Sequence, residues 1–239
     1  MAPCAAILAG GLGTRLRSVV NDRPKVMAPV AGRPFITHLL DQLADAGISR
    51  VVLCTGYMAG IIHDELGESY RGMVLDYSVE QEPLGTGGAL RHAAELFTGN
   101  RILVMNGDSW CGCDLSMFEQ GVKESGIASG MVLTEVPDVS RFGAVETDAA
   151  GRVVRFIEKG EESGPGWINA GIYLLPTCRI MELKTGKQIS LERELIPSLL
   201  QEGLIGYRAS GQFIDIGIPE EFQRAQTLFQ SSMKGNGNL

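Results

Sequence analysis

The sequence predicts an α/β fold: a Rossmann-like, mainly parallel (mixed) sheet flanked by helices. In the first half of the chain, short β-rich apolar runs alternate with segments whose apolar residues recur at helical spacing. Such alternation is typical of strand–helix units in a parallel sheet. In the second half, apolar runs follow one another with turn signals such as residues 148–151 (DAAG) between them, which indicates a β-rich half.

The expected elements follow from these runs in chain order. The strands of the first half are expected over residues 5–8, 51–55, 74–79 and 102–105. Helical spacing of apolar residues predicts helices over 35–46, 58–66 and 88–97. The second half is expected to contain strands over 131–136, 143–147, 153–159 and 167–175, then helices over 191–201 and 219–230. No composition break separates the halves, so we expect one domain over residues 1–230 and a flexible tail over 231–239.

The composition excludes several classes of function. The chain has 239 residues, with 21 Lys and Arg against 28 Asp and Glu, which gives a net charge of −7. This charge argues against nucleic acid or an anionic membrane as the main partner, since both favour a basic surface. No apolar run approaches the roughly 18 residues of a membrane helix, and the N-terminus lacks the basic region of a signal peptide. The five scattered cysteines favour a reduced, cytoplasmic protein without a structural metal.

Glycine is enriched, with 31 residues of 239, and several glycines follow the first expected strand in residues 9–16 (AGGLGTRL). Three glycines at this position let backbone N–H groups approach a polyanion, and Arg15 and Lys25 add two cations. No Gly-Lys-Ser/Thr follows, so the loop is not a Walker A motif. Leu16 occupies the third glycine position of a dinucleotide fingerprint, which argues against a dehydrogenase. The alternative interpretation of residues 9–16 is a tight turn without a ligand, with Arg15 and Lys25 solvated.

A second glycine-rich loop, residues 80–89 (EQEPLGTGGA), also joins a strand to a helix. We therefore expect it at the same carboxyl edge of the sheet, where open α/β folds bind ligands. Its carboxylate and amide side chains could recognise the edge of a nucleobase.

Two aspartates are candidate metal ligands. Asp108 follows the strand 102–105 at its carboxyl end, and Asp215 lies among apolar residues in the segment 213–217 (FIDIG). A buried carboxylate needs a partner, and Mg²⁺ on a phosphate is a partner that uses two aspartates well. A structural aspartate in a salt bridge is the alternative for Asp215.

Several motifs together resemble one known family, the sugar-1-phosphate nucleotidylyltransferases. Over about residues 5 to 230, the chain contains, in order, AAILAGGLGTRLRS, RPKVMAPVAGRPF, EPLGTGGAL, NGDS, FGAVETD, FIEK, INAGIYLL and FIDIGIPEEF. Residues 13–20 are most similar to the branch that acts on D-glycero-D-manno-heptose 1-phosphate with GTP, whereas hexose enzymes tend to have Pro where Ser18 stands. The resemblance implies a fold of the nucleotide-diphospho-sugar transferase type. It also implies in-line attack of a sugar 1-phosphate on the α-phosphorus of an NTP, with release of pyrophosphate.

The resemblance also implies roles for individual residues. It assigns catalysis to Arg15, at the departing pyrophosphate, and to Lys25, between the α-phosphate and the sugar phosphate. It assigns Mg²⁺ to Asp108 and Asp215. The nucleotide-binding residues, in the half over about 1–125, would be Leu8, Gly10, Gly11, Gly13, Thr14, Glu80, Gln81, Gly85, Gly87 and Gly88. The sugar-phosphate-binding residues, most of them in the half over about 126–230, would be Asn106, Gly143, Glu158, Lys159 and Asn169.

Some features depart from the family pattern and leave alternatives open. Val26 and Gly160 stand where the family often has Pro, and Cys111 and Cys113 match no family role. The base and the sugar could differ: a uridylyl- or guanylyltransferase for N-acetylmuramic acid, mannose or another hexose 1-phosphate is the alternative. An inactive regulatory or sensor relative is a more remote one. A homodimer is expected by family analogy alone.

Overall fold

The structure is a computed structural model that describes residues 4–11, 13, 16, 19–157 and 159–235, with side chains as far as residue 231. The described part of the chain contains strands and helices in close alternation. In chain order, the strands are β1 (Cys4–Leu8), β2 (Pro29–Val30), β3 (Arg33–Pro34), β4 (Arg50–Thr55), β5 (Ser69–Tyr70), β6 (Met73–Val79), β7 (Arg101–Asn106), β8 (Ser109–Cys111), β9 (Gly130–Val136), β10 (Ala144–Thr147), β11 (Val153–Ile157), β12 (Gly166–Pro176), β13 (Ile205–Ala209) and β14 (Phe213–Asp215).

Helices connect most of these strands. In chain order, the α-helices are α1 (Phe35–Asp45), α2 (Ala59–Leu66), α3 (Gly85–Ala93), α4 (Leu115–Glu124), α5 (Thr177–Met181), α6 (Ile196–Glu202) and α7 (Pro219–Gly235). Shorter turns of 3-10 helix lie at Lys25–Met27 and Ala94–Leu96, and a π-helical turn lies at Leu191–Leu195. None of the helices in the described residues is both long and apolar enough to cross a membrane.

One mixed sheet of eight strands organises the molecule, in the order β13-β9-β12-β7-β1-β4-β6-β5. β1 is parallel to β4 on one side and to β7 on the other, and β6 continues parallel to β4. β12 is antiparallel to both β7 and β9, so it joins strands from the two halves of the chain. The predicted fold class, a mainly parallel mixed sheet flanked by helices, is confirmed.

The core lies on both faces of this sheet because the side chains of a strand alternate between its faces. Ala5 and Ile7 of β1 pack in a cluster with residues of α1, α4 and α7. Cys4 and Ala6, which alternate with them, pack in a second cluster with residues of α3 and α6. A strand buried on both faces is a continuous apolar run, which is why β1 could be recognised in the sequence.

The parallel strands place their carboxyl ends at one edge of the sheet. β1 ends at Leu8, and its neighbours β4 and β7 end beside it at Thr55 and Asn106. The chain leaves β1 toward β4 on one side and reaches β7 on the other side only later. Open α/β sheets bind ligands at such a switch in strand order, outside the carboxyl ends of the strands.

The structure corrects some of the expected boundaries. The helix expected over 191–201 is divided into the π-helical turn Leu191–Leu195 and helix α6. The division lies at Pro197, in the first turn of α6, because proline has no N–H group to continue the preceding turn. The helix expected to begin at residue 88 begins at Gly85. The strand expected to reach residue 159 ends at Ile157, so Lys159 lies in a turn.

Part of the tail expected over 231–239 lies within the described residues, and its expected flexibility stays a prediction. Helix α7 continues to Gly235, and the Ser231 hydroxyl donates a hydrogen bond to the Thr227 carbonyl, 2.9 Å away. Ser231 therefore belongs to the helix. Between its first residue, Pro219, and its last, Gly235, helix α7 contains no proline or glycine that would end it earlier. The last four residues, 236–239, lie outside the described part of the chain.

Helix α4 was missed although its signals are present in the sequence. Leu115, Phe118 and Val122 are buried at helical spacing on one face. The Asp114 carboxylate caps the helix and accepts hydrogen bonds from the N–H groups of Ser116 and Met117 at 2.9 and 3.0 Å. The strands β13 and β14, which were also missed, are only five and three residues long.

Candidate active site

A cavity of about 290 Å³ opens at the carboxyl ends of β1 and β7. It brings together residues from both glycine-rich loops and from the segments that follow them. The lining residues are Leu8, Ala9, Gly10, Gly11, Lys25, Val26, Glu80, Pro83, Gly85, Thr86, Ala89, Asn106, Asp108 and Gln188. Five of the predicted nucleotide-binding residues are therefore neighbours in this cavity, which we call the first cavity.

The first glycine loop is packed closely against charged side chains. A Cβ atom at Gly10 would lie 2.7 Å from Glu80 Oε1, so any larger residue there would displace the Glu80 carboxylate. Gly13 has a φ of +58°, and a Cβ atom there would lie 3.1 Å from Lys25 Cβ. Glycine at these positions therefore lets the backbone of the loop approach Glu80 and Lys25.

Glu80 presents a carboxylate to the first cavity. Its Oε2 accepts a hydrogen bond from the Leu84 N–H at 3.1 Å, which fixes the side chain. Burial raises the pKa of Glu80, although the hydrogen bond from Leu84 acts in the opposite direction. Gln81, which the sequence also predicts to bind the nucleotide, is exposed and does not line this cavity.

The glycines of α3 contact a different part of the chain. The N–H groups of Gly87 and Gly88 both donate to the Ile189 carbonyl, at 2.9 and 3.3 Å. A Cβ atom at Gly88 would lie 2.5 Å from the Lys187 carbonyl oxygen. The structure thus gives Gly87 and Gly88 a packing role against residues 187–189, and their N–H groups already have an acceptor. Their predicted contact with the nucleotide stays a prediction.

Lys25 lies beside Asp108 in the lining of the first cavity. Its side chain is 13% exposed, and its ammonium donates a hydrogen bond to Asp108 Oδ2. Lys25 begins the turn Lys25–Met27 directly after Pro24, and this turn carries buried Val26 and Met27. A short rigid turn with an apolar anchor therefore holds the lysine at the carboxyl edge of the sheet.

Two short strands bring Asp215 to Asp108. β14 pairs antiparallel with β8, and the register places Asp215 opposite Ser109. The Ile216 N–H donates to the Asp108 carbonyl at 2.9 Å, which extends this pairing by one step. Arg141 donates to Asp215 Oδ2 at 3.0 Å, and the Gly217 N–H donates to Asp215 Oδ1 at 2.7 Å. The structure thus brings together the two aspartates that the sequence singled out.

The two carboxylates fit a divalent cation. Burial raises the pKa of Asp215, and the negative charge of Asp108 raises it further. A cation between the two aspartates would offset that repulsion, and carboxylate oxygens are the ligands that Mg²⁺ prefers. In the described residues no group of three or more His, Cys, Asp or Glu side chains forms a metal site. This donor set of two suits Mg²⁺, which often binds one or two carboxylates and completes its shell with phosphate oxygens.

A second cavity, of about 470 Å³, continues from the first on the side of the β-rich half. Asn106 and Asp108 line both cavities. The other residues that line the second cavity are Ser109, Phe142, Phe156, Ile157, Lys159, Asn169, Gly171, Ser190, Glu192, Arg193, Phe213 and Asp215. The structure therefore brings Lys159, Asn169 and Asn106, three of the predicted sugar-phosphate residues, to one cavity.

Asn106 occupies the junction of the cavities. Its Oδ1 atom is buried and has no hydrogen-bond partner in the described part of the chain. A buried polar atom without a partner is costly, so a bound ligand that donated to it would be favoured. Gly171 leaves room for this side chain, since a Cβ atom there would lie 2.7 Å from Asn106 Nδ2.

Some predicted residues lie elsewhere. Gly143 lines neither cavity; its N–H donates to the Val139 carbonyl at 2.9 Å, and its φ is +83°. Its neighbour Phe142 lines the second cavity in its place. Thr14, Arg15 and Glu158 lie outside the described residues, so their predicted roles stay predictions.

One wall of the two cavities comes from residues within 188–193, which no sequence motif indicated. Gln188 lines the first cavity, and Ser190, Glu192 and Arg193 line the second. Their segment is about 80 residues from Asp108 in sequence and contains no recognisable motif. The half-buried aromatic side chains of Phe142, Phe156 and Phe213 also line the second cavity, but an isolated Phe in a sequence does not distinguish a cavity wall from a core.

Comparison with known proteins gives consistent matches over almost the whole chain. The family model described as "Nucleotidyl transferase" matches residues 4–232. The mannose-1-phosphate guanylyltransferase of Mycobacterium tuberculosis is 39% identical over 224 residues, which cover 92% of this chain but 62% of that protein. The chain thus spans less than two thirds of that relative.

Two further relatives match over nearly their full length. The D-glycero-alpha-D-manno-heptose 1-phosphate guanylyltransferase of Aneurinibacillus thermoaerophilus is 38% identical over 228 residues, 95% of this chain and 98% of that protein. The crystal structure of HddC from Yersinia pseudotuberculosis, complexed with GMP-PN, superimposes with a TM-score of 0.83 at 35% identity. It covers 95% of this chain and 99% of HddC.

Proposed function

The chain belongs to the nucleotidyl transferase family, and on that premise we propose that it transfers a nucleotidyl group from an NTP to a sugar 1-phosphate. The products are an NDP-sugar and pyrophosphate. We propose GTP and D-glycero-α-D-manno-heptose 1-phosphate as the preferred substrates. The observation that carries the proposal is the pair of adjoining cavities, which share Asn106 and Asp108 and have Lys25 and Asp215 at their junction.

The reaction needs positioning and charge neutralisation more than proton transfer. An oxygen of the sugar phosphate, already ionised, forms a bond to the α-phosphorus of the NTP. The bond from that phosphorus to the oxygen bridging to the β-phosphate breaks, and its electron pair leaves with pyrophosphate. Lys25 lies where the two cavities meet, so its ammonium is suited to neutralise the charge that gathers around the α-phosphate. Lys159 would bind the sugar phosphate from the second cavity.

Asp108 and Asp215 would hold Mg²⁺, which when bound neutralises the phosphates and orients them for in-line attack. Both carboxylates have cationic partners in the described residues, Lys25 for Asp108 and Arg141 for Asp215. A divalent cation between the carboxylates would leave the ammonium of Lys25 available for phosphate oxygens.

Glu80 supports guanine as the base. An ionised carboxylate only accepts hydrogen bonds, and guanine presents adjacent donors, its N1–H and its N2 amino group. Uracil presents one N–H between two carbonyl oxygens, and these oxygens would be repelled by the carboxylate. Since the Leu84 N–H occupies one side of Oε2, the remaining acceptor sites of Glu80 are available to the base.

Mannose 1-phosphate is the second candidate for the sugar substrate. The observation that favours it is the 39% identity to a mannose-1-phosphate guanylyltransferase. A heptose and mannose share the configuration of the manno ring, so one cavity could accept either. We place the heptose first because the relative that acts on it matches this chain over 98% of its own length.

The test is a panel of the four common NTPs against the 1-phosphates of this heptose, mannose, glucose and N-acetylmuramic acid, with pyrophosphate release measured. We expect the highest kcat/KM for GTP with the heptose. In Glu80→Gln we expect the kcat/KM for GTP to fall by about tenfold or more, since a charge-assisted hydrogen bond is lost. Glu82→Gln, an exposed position that lines neither cavity, is the matched control.

Three outcomes would contradict this proposal in different ways. A higher kcat/KM for UTP than for GTP would remove the assignment of the base. A higher kcat/KM for another sugar would remove the assignment of the sugar. No pyrophosphate release with any pair would remove the proposed activity itself.

A further inference from the structure

Glu192 occupies an unusual position at the wall of the second cavity. It lies on the π-helical turn Leu191–Leu195, and its carboxylate is held by three hydroxyl groups. Thr86 and Ser190 donate to Oε2 at 3.1 and 3.2 Å, and Tyr173 donates to Oε1 at 3.2 Å. These donors come from α3, from the segment before the turn, and from β12.

The network continues to Asn169, whose orientation it determines. The Gly171 N–H donates to Asn169 Oδ1 at 2.9 Å, so Oδ1 is the acceptor and Nδ2 the donor. Nδ2 in turn donates to the Tyr173 hydroxyl at 2.5 Å. Tyr173 is fully buried, so this arrangement is shielded from solvent. The side chains of Asn169 and Glu192 are thereby fixed relative to each other at one wall of the cavity.

The network leaves hydrogen-bonding capacity for a ligand. An ionised carboxylate has about four acceptor positions, and three hydroxyl groups of the described residues use only three of them. The Asn169 amide has a second N–H besides the one that Tyr173 accepts. Both side chains line the cavity, so together they present one free acceptor and one free donor to its contents. Sugar hydroxyls, which both donate and accept, match this pair.

We propose that Glu192 binds a hydroxyl of the sugar phosphate and thereby selects the sugar. The proposal rests on the proposed function and names a further substrate-binding residue for it. Glu192 accepts the hydroxyl proton, and Asn169 donates to a neighbouring sugar oxygen. Tyr173 and Thr86 are positioning residues, since each contacts the carboxylate and holds it toward the cavity.

The test is calorimetric binding with Glu192→Gln, which keeps the size of the side chain and removes its charge. The ligands are D-glycero-α-D-manno-heptose 1-phosphate, mannose 1-phosphate and GTP, each titrated separately. We expect the Kd of both sugar phosphates to rise about tenfold or more, because a hydrogen bond to a charged acceptor is lost. The Kd of GTP should stay within about twofold of the wild type.

Glu194→Gln is the matched control. Glu194 lies on the same turn and makes the same kind of contact, since its Oε1 accepts from the Ser190 N–H at 3.0 Å. It is exposed and lines neither cavity, so its Kd values should equal those of the wild type. This control removes the same charge from the same turn.

Monodeoxy analogues of mannose 1-phosphate separate binding from a merely structural role. If Glu192 contacts one hydroxyl, removal of that hydroxyl should weaken binding to the wild type by about tenfold but leave the Kd for Glu192→Gln nearly unchanged. A structural role predicts that Glu192→Gln weakens all analogues and GTP alike.

The outcomes are separable from those of the proposed function. Equal Kd values for wild type and Glu192→Gln would overturn the inference, as would uniform weakening of every ligand. Failure of the wild type to bind any sugar phosphate would also overturn it. Sugar-phosphate binding without formation of an NDP-sugar would contradict only the proposed function.

Discussion

Replacement of Lys25 by alanine is expected to lower kcat by about 10²-fold or more, the range found when one charge-stabilising group is removed from an active site. The physical reason is the position of the ammonium, 13% exposed and paired with Asp108 where the two cavities meet. No other cation of the described residues lines the first cavity. The measurement is steady-state pyrophosphate release with saturating GTP and sugar phosphate.

Lys123→Ala is the control for this variant. Lys123 is exposed on α4 and lines neither cavity, so its loss changes the net charge equally without altering the site. The Tm of Lys25→Ala should be measured beside it, to establish that the variant is folded at the assay temperature. Turnover close to that of the wild type in a folded Lys25→Ala protein would remove Lys25 from the mechanism.

The second large effect is expected for Asp108→Asn, which should also lower kcat by about 10²-fold or more. Asparagine preserves the shape of the side chain but removes the charge that would hold Mg²⁺ together with Asp215. Because metal affinity should fall as well, we expect the concentration of Mg²⁺ needed for half-maximal rate to rise. A titration of turnover with Mg²⁺ measures both effects.

Asp64→Asn is the matched control, because the Asp64 side chain is 86% exposed on α2. The same chemical change there should leave both kcat and the Mg²⁺ requirement unaltered. Unchanged kcat and an unchanged Mg²⁺ requirement in Asp108→Asn would show that this carboxylate is not a metal ligand.

Much of the fold could be predicted from the sequence because its signals are local. Strand β1 is buried on both faces, so it is a continuous apolar run in the sequence. Helix α1 is buried mainly on one face, so its apolar residues recur at helical spacing. Since parallel strands end at one edge of the sheet, the loops after β1 and β6 could be expected to meet there. The family resemblance drawn from the motifs is confirmed by the match over residues 4–232.

The contacts within the site could not be predicted in the same way. Asp215 reaches Asp108 through the pairing of two strands of three residues each, too short to give a pattern. Thr86 and Glu192 are 106 residues apart, and neither belongs to a motif that signals the other. Long-range register of this kind depends on tertiary packing, which a local pattern does not record.

The glycines illustrate how one residue type can serve two purposes. Gly10 and Gly88 both lie in loops that the sequence assigns to a nucleotide. The structure places Gly10 at the cavity wall against Glu80, whereas Gly88 packs against the Lys187 carbonyl, behind the wall. In both cases another part of the chain lies too close for a Cβ atom, but of the two only Gly10 lines the first cavity, where it can also contact a ligand.

The most direct test of the central proposal follows the fate of the α-phosphate. The wild-type protein is incubated with Mg²⁺, D-glycero-α-D-manno-heptose 1-phosphate and GTP that is radiolabelled at the α-phosphate, and the labelled products are separated. We predict that the label enters an NDP-sugar in an amount equal to the pyrophosphate released. Label found in GMP or GDP instead, or remaining in GTP, would contradict nucleotidyl transfer to the sugar phosphate.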